Sequence, residues 1–147
     1  MSFGSALSQH PVTAHAVGEV AGQVLEATGP GPDLAVLFVT SGHAGALEDA
    51  AAAVTSVLAP AALIGCAAVS VVGTGQEVEE QAGVSLWAGA VGPVAPLELD
   101  ARRSPSGTAI DGLSEQALSG GRAVLLLADP FSFPAEVAFE ALARQCP

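Results

Sequence analysis

The sequence contains no lysine and no tyrosine. Its cations are Arg102, Arg103, Arg122 and Arg144, set against 15 carboxylates, for a formal net charge of −11. Nucleic-acid binding needs cationic side chains to displace counterions along the phosphate backbone, so a surface this poor in them repels it. An anionic membrane surface is disfavoured for the same reason. Without lysine there is also no P-loop of the usual chemistry. Cysteine is scarce: Cys66 and Cys146 form no CxxC pair, which argues against a zinc knuckle. A cytosolic setting argues against a disulfide between them. His10, His15 and His43 show neither HxH nor HExxH spacing, and no metal or other cofactor is expected. No apolar run reaches the roughly 18 residues of a membrane span. The N-terminus lacks the basic start and apolar block of a signal peptide, so the expected location is the cytoplasm.

What is present is a core. Hydrophobic residues make up 50% of the 147, mostly Ala, Val and Leu. That length suits one domain, burying about 70% of its unfolded surface. Residues 3–7 alternate as a short strand, and Val17, Val20, Ala21, Val24, Leu25 and Thr28 recur at helical spacing. Gly29-Pro30-Gly31-Pro32 should end that helix. Leu34 to Thr40 is a continuous apolar run, expected as a strand covered on both faces. After a turn at Ser41-Gly42-His43, Leu47, Ala50, Ala51, Val54 and Leu58 mark a second helix, and residues 62–64 start another strand.

Residues 69–73, 77–80, 84–91 and 95–99 are short β-leaning pieces divided by Gly and Pro, which suggests antiparallel strands. Residues 102–107 (RRSPSG) look like a loop or linker. Ile110, Leu113, Ala117 and Leu118 suit a third helix, residues 123–128 (AVLLLA) a buried strand, and residues 134–144 a last helix. The expected fold is mixed α/β, with N-terminal βαβαβ units, antiparallel strands in the middle and a final βα unit.

Few residues suggest catalysis. Cys66 follows Gly65 at an expected strand end, where backbone N–H groups lower a thiol pKa. His43 would end the adjacent strand, so a Cys66–His43 hydrolase or transferase is one alternative, although small cysteines in strands usually pack and stay inert. Ser41 fails the GxSxG pattern. Gly73-Thr74-Gly75 reads as a tight turn between strands. Glu77 and Glu79 share a face that suits an edge strand, and His15 and Glu19, four apart on a helix, suit a solvated helix face. There remains a cleft: the small residues at Thr40-Ser41-Gly42 and Gly65-Cys66-Ala67 leave room at the C-terminal sheet edge, where open α/β sheets bind ligands.

Four blocks resemble one family. Residues 3–8 (FGSALS) resemble its opening strand, and residues 32–39 (PDLAVLFV) its "pDLavlFv" strand. Leu63-Ile64-Gly65-Cys66-Ala67-Ala68 with Gly73, Gly75, Glu77, Val78 and Glu79 resembles its "liGcsa-Gvig-g-EvE" signature, and residues 127–133 (LADPFSF) its "DPfsf" block. In that order they resemble the N-terminal part of the FIST domain, a sensory domain of bacterial signalling proteins and of some eukaryotic F-box proteins. Ala67 stands where Ser or Thr is common, and Ser70 where Gly is common. The family pattern continues with another strand and a FIST C-terminal domain, so residues 1–147 are expected to form an incomplete FIST N-terminal domain.

The resemblance implies a non-catalytic, small-molecule-sensing domain of a signal transduction protein, with amino acids or their derivatives as ligands. Candidate contacts are Ser41, Gly42, His43, Gly65, Cys66, Ala67 and Glu77. A further alternative is an interaction scaffold: apolar surface left by a missing C-terminal half would favour a homodimer.

Overall fold

The alternation at the N-terminus becomes β1 (Phe3–Ser8), in a computed structural model that describes residues 2–105 and 107–145. Two compact units follow from the contacts, one ending at Val94 and one beginning at Ala95. In the first, the apolar stripe Ala16, Val17, Val20, Ala21 and Val24 builds α1 (Thr13–Thr28). It stops at Gly29, whose positive φ of 74° lets its N–H reach Leu25 O at 2.8 Å. The apolar run becomes β2 (Leu34–Thr40), and Ser41–Ala46 coils into a 3₁₀ turn that leads into α2 (Leu47–Leu58). Glu48 and Asp49 sit in the first turn of α2, where the helix dipole favours carboxylates. The chain then forms β3 (Ala62–Ala68), β4 (Ser70–Gly73), β5 (Gln76–Glu79) and β6 (Val84–Gly89).

Four strands make one sheet in the order β1-β6-β2-β3. β2 and β3 pair in parallel, while β6 runs antiparallel to both β1 and β2 and lies between them. β1, β2 and β3 therefore share a direction. On one face Ala6, Ala35, Leu37, Val39, Val84, Leu86 and Ala88 are buried with the stripes of α1 and α2. Each Val or Leu fully buried there contributes roughly 1.5–3 kcal/mol. β2 is not covered on both faces as expected, because its burial alternates and Leu34, Val36 and Phe38 are only half-buried. On that second face Phe3 stacks on Trp87, with ring centroids 5.8 Å apart. The β4–β5 hairpin reaches one end of it, where Ser85 Oγ donates to Val72 O at 2.9 Å.

The unit from Ala95 holds the ribbon β7 (Asp100–Ser104) and β8 (Gly107–Asp111), a single turn α3 (Glu115–Leu118) and α4 (Ala135–Gln145). Several expectations fail here. Of the two readings of residues 102–107, they form the closed end of a hairpin and not a linker; Ser106 lies outside the described residues. Ile110 belongs to β8, so the third helix shrinks to one turn. Residues 95–99 form no strand, and neither do residues 123–128, so the final βα unit lacks its strand. Strand propensity needs a ladder partner; Val124 and Leu125 have none and are 53% and 60% exposed. Among the described residues of this unit Ala138 is the one buried hydrophobic.

Candidate functional site

Polar side chains seldom enter a core without a partner. The buried ones among the described residues are Ser8, Thr40, His43 and Ser85. Ser8 ends β1, Thr40 ends β2, His43 follows in the 3₁₀ turn, and Ser85 lies near the start of β6. The sheet direction puts all four at one end, the C-terminal edge of β1 and β2.

Three of them are satisfied. Ser8 Oγ makes a short hydrogen bond to the Glu19 carboxylate and accepts the His10 N–H at 3.2 Å. Thr40 Oγ1 donates to Gln81 O at 2.6 Å and accepts the Gly83 N–H at 2.8 Å, tying the end of β2 to the entry of β6. Ser85 is held by Val72 O, as above.

His43 differs. It is 1% exposed, and its Nδ1 lies 2.9 Å from the Thr13 hydroxyl in the first residue of α1. Its Nε2 is buried with no partner. Either tautomer leaves that edge of the ring unpaired: a bare lone pair when Nδ1 carries the proton, an unused N–H when Nε2 does. A buried group left so costs about 1–3 kcal/mol.

The same corner gathers the other two imidazoles. His10 Nδ1 accepts the Val12 N–H at 3.1 Å, and the His10 and His15 rings stack at 4.8 Å. His15 and Glu19 are both exposed on α1, the solvated helix face expected of them; Glu19 reaches Ser8 and His15 stacks on His10. Residues 10, 13, 15 and 43 carry no local signal of this convergence. It is made by the β1–α1 connection meeting the turn after β2. No cluster of His, Cys, Asp or Glu suited to a metal ion occurs among the described residues.

The sequence candidates lie in three places. Ser41 and Gly42 are exposed in the turn that carries His43. Gly65, Cys66 and Ala67 are not a strand-end turn; they pair with Leu37, Phe38 and Val39 inside β3. A Cβ at Gly65 would collide with the carbonyl oxygen of Leu37, so glycine there answers to a close backbone approach. Gly65 lines an apolar hollow of about 210 Å³ with Leu37, Leu47, Ala51, Leu63 and Ile64. Leu47 also lines a second hollow, of about 420 Å³, formed by residues 44–49. Turn and groove thus meet at the start of α2. Cys66, by strand alternation, faces the opposite side with Phe38. His43 bonds Thr13 and not Cys66. Cys146 lies outside the described residues.

Glu77 is exposed on β5, opposite Val72, and Val78 beside it is buried, so Glu77 and Glu79 do share the outer face. Ser70, where Gly is common in the family, opens β4. The turn of this hairpin is Thr74-Gly75, with φ values of 49° and 77°. In the second unit, the "DPfsf" block is a local turn. Asp129 accepts the Phe131 N–H at 3.0 Å and the Ser132 hydroxyl at 2.6 Å. Those bonds, the Ser132 hydroxyl first, hold the Asp129 carboxyl below its ordinary value of 3.8.

Comparison with known proteins agrees with the resemblance. The family described as FIST N domain matches residues 33–147. An uncharacterized protein of Mycobacterium tuberculosis (strain ATCC 25618 / H37Rv) is 34% identical over 148 aligned residues, covering 100% of this chain and 38% of the relative. An uncharacterized protein of Mycobacterium bovis is 32% identical over 141, covering 95% of this chain and 36% of the relative. The chain thus spans less than two-fifths of the length of these relatives. No solved structure matches.

Proposed function

Because this chain belongs to the FIST N domain family, a sensory domain family of signal transduction, we propose that it binds a small polar metabolite in the cytoplasm without transforming it. Amino acids or their derivatives are the ligand class. The observation that carries this reading is the gathering of Ser8, Thr40, His43 and Ser85 at one end of the sheet. The end of the strands of an α/β sheet is the usual setting of a ligand site. In this reading Ser41, Gly42 and His43 are its centre and Gly65 and Ala67 its flank; Gly65 lines a hollow that shares Leu47 with the one beside the turn. Cys66 and Glu77 are assigned outer roles, since one faces the other side of the sheet and the other an exposed hairpin face.

The absence of a bond between Cys66 and His43 favours sensing over Cys-dependent chemistry. Titrating the protein with a panel of amino acids by calorimetry tests the reading: saturable heat with at least one member is expected. A panel that stays silent against the folded protein counts against it.

The half-buried sheet face of Leu34, Val36, Phe38 and Trp87 favours a second role, contact with a FIST C-terminal domain. Among the described residues no helix is long and apolar enough to cross a membrane.

A further inference from the structure

The turn Ser41–Ala46 sends one side chain inward, and at Gly42 its backbone lies close to Ala82. Of its six residues only His43 is buried; the others are Ser, Gly and Ala, and no side chain caps it. Six residues is long for 3₁₀ geometry, whose hydrogen bonds are poorer than those of an α-helix and whose runs seldom exceed four. Its anchor is also the ring with an unpaired buried nitrogen. Closure of the turn thus buries Nε2 without a partner from the protein. The end of the turn lines the hollow of residues 44–49, which Glu48 and Asp49 also line.

Charge limits what could enter. All four arginines lie beyond residue 101, so the unit ending at Val94 carries eight carboxylates, from Glu19 to Glu80, with neither lysine nor arginine. Its field opposes an anion.

We propose that the Ser41–Ala46 turn is a gate, and that His43 Nε2 becomes the hydrogen-bonding contact for a small neutral or cationic ligand when it opens. This rests on the sensing reading above and names the residue and ligand charge class that serve it. Opening is local, because the turn buries one side chain, His43, while the apolar core is built from α1, α2 and the sheet. The Thr13 hydroxyl is half-buried and can rehydrate when the ring leaves.

Labelling with diethyl pyrocarbonate tests the gate without a ligand. His43 should be modified in the native protein at least about tenfold faster than the protein unfolds globally. Labelling that only keeps pace with global unfolding overturns the gate. Long-range ¹H–¹⁵N NMR of the ring nitrogens then tests the contact, with putrescine as cation, glycinamide as amine, glycine as zwitterion and acetate as anion. Saturable movement of His43 Nε2 with one of the first three, and none with acetate, is expected. Binding heat from a probe that leaves Nε2 unmoved overturns the contact while sensing survives. Movement with acetate overturns the charge class. No heat from any probe overturns the contact and counts against the sensing reading too. In His43→Leu, Tm should hold or rise while the binding heat of the probe that moved Nε2 is lost. A fall of roughly 5 °C or more would show the ring to be a satisfied structural anchor and would overturn the proposal.

Discussion

At the scale of single residues, the family-like signature proves to be mostly architecture. Gly65 is the clearest case, because its missing Cβ is what allows β3 to lie against Leu37 of β2. Gly65→Ala should therefore destabilise by about 3 kcal/mol or more, the upper end of overpacking costs, as measured by urea unfolding. A near-neutral result would mean that the two strands part easily. Asp129 offers a test by pH. Its native pKa is lowered by the Ser132 hydroxyl and the Phe131 N–H, so the native state binds its proton less readily than the unfolded chain. The contribution to stability is present above the ordinary carboxylate value and is lost as pH falls through the native one. An NMR titration should put Asp129 below 3.8, and Ser132→Ala should return it most of the way.

At the scale of elements, the hairpin β4–β5 carries a correctable cost. Its two-residue turn puts Thr74 and Gly75 at positive φ, as a type I′ turn requires, and a β-branched residue is poorly suited to the first position. Thr74→Asn should stabilise by about 1 kcal/mol in thermal unfolding. Elements with local signals were legible in the sequence. α1 ends at its glycine, the stripe of α2 is buried as its spacing implies, and Gly73-Thr74-Gly75 is the expected strand turn. What the sequence hid depends on partners. The segments 95–99 and 123–128 have strand composition but no neighbour, and composition alone cannot supply one. The site divides in the same way. The Ser41–His43 turn was readable from small residues after an apolar strand. Thr13, 30 positions from His43, was not, because only tertiary packing brings it there.

At the scale of the molecule, charge and core are unevenly spread. Eight carboxylates with no lysine or arginine repel one another across the unit ending at Val94, and salt screens them. Raising NaCl from 0.05 to 0.5 M (about 14 Å to 4 Å of screening length) should lift Tm by roughly 4 °C, equivalent to about 1 kcal/mol. A flat response would mean that the carboxylates are too far apart to matter. The unit from Ala95 buries a single hydrophobic among its described residues and leaves Phe131 and Phe139 largely exposed. Thermolysin should cut there first and leave a resistant fragment ending near Val94; early cuts within α1 or β2 would contradict that ranking.

The position of β6 sets a timetable for synthesis. β1 and β2 are adjacent in the chain and parallel in the sheet, yet they never touch as strands, because β6 fills the gap between them. On a ribosome adding roughly 5–20 residues per second, β1 must wait on the order of 4–15 seconds for β6, its one strand partner among the described residues, to be made. Until then the nascent chain holds an α1 with half a floor and two strands with bare inner edges. A chaperone that shields unpaired edges would meet this protein in that interval, before the last residues of the sheet arrive.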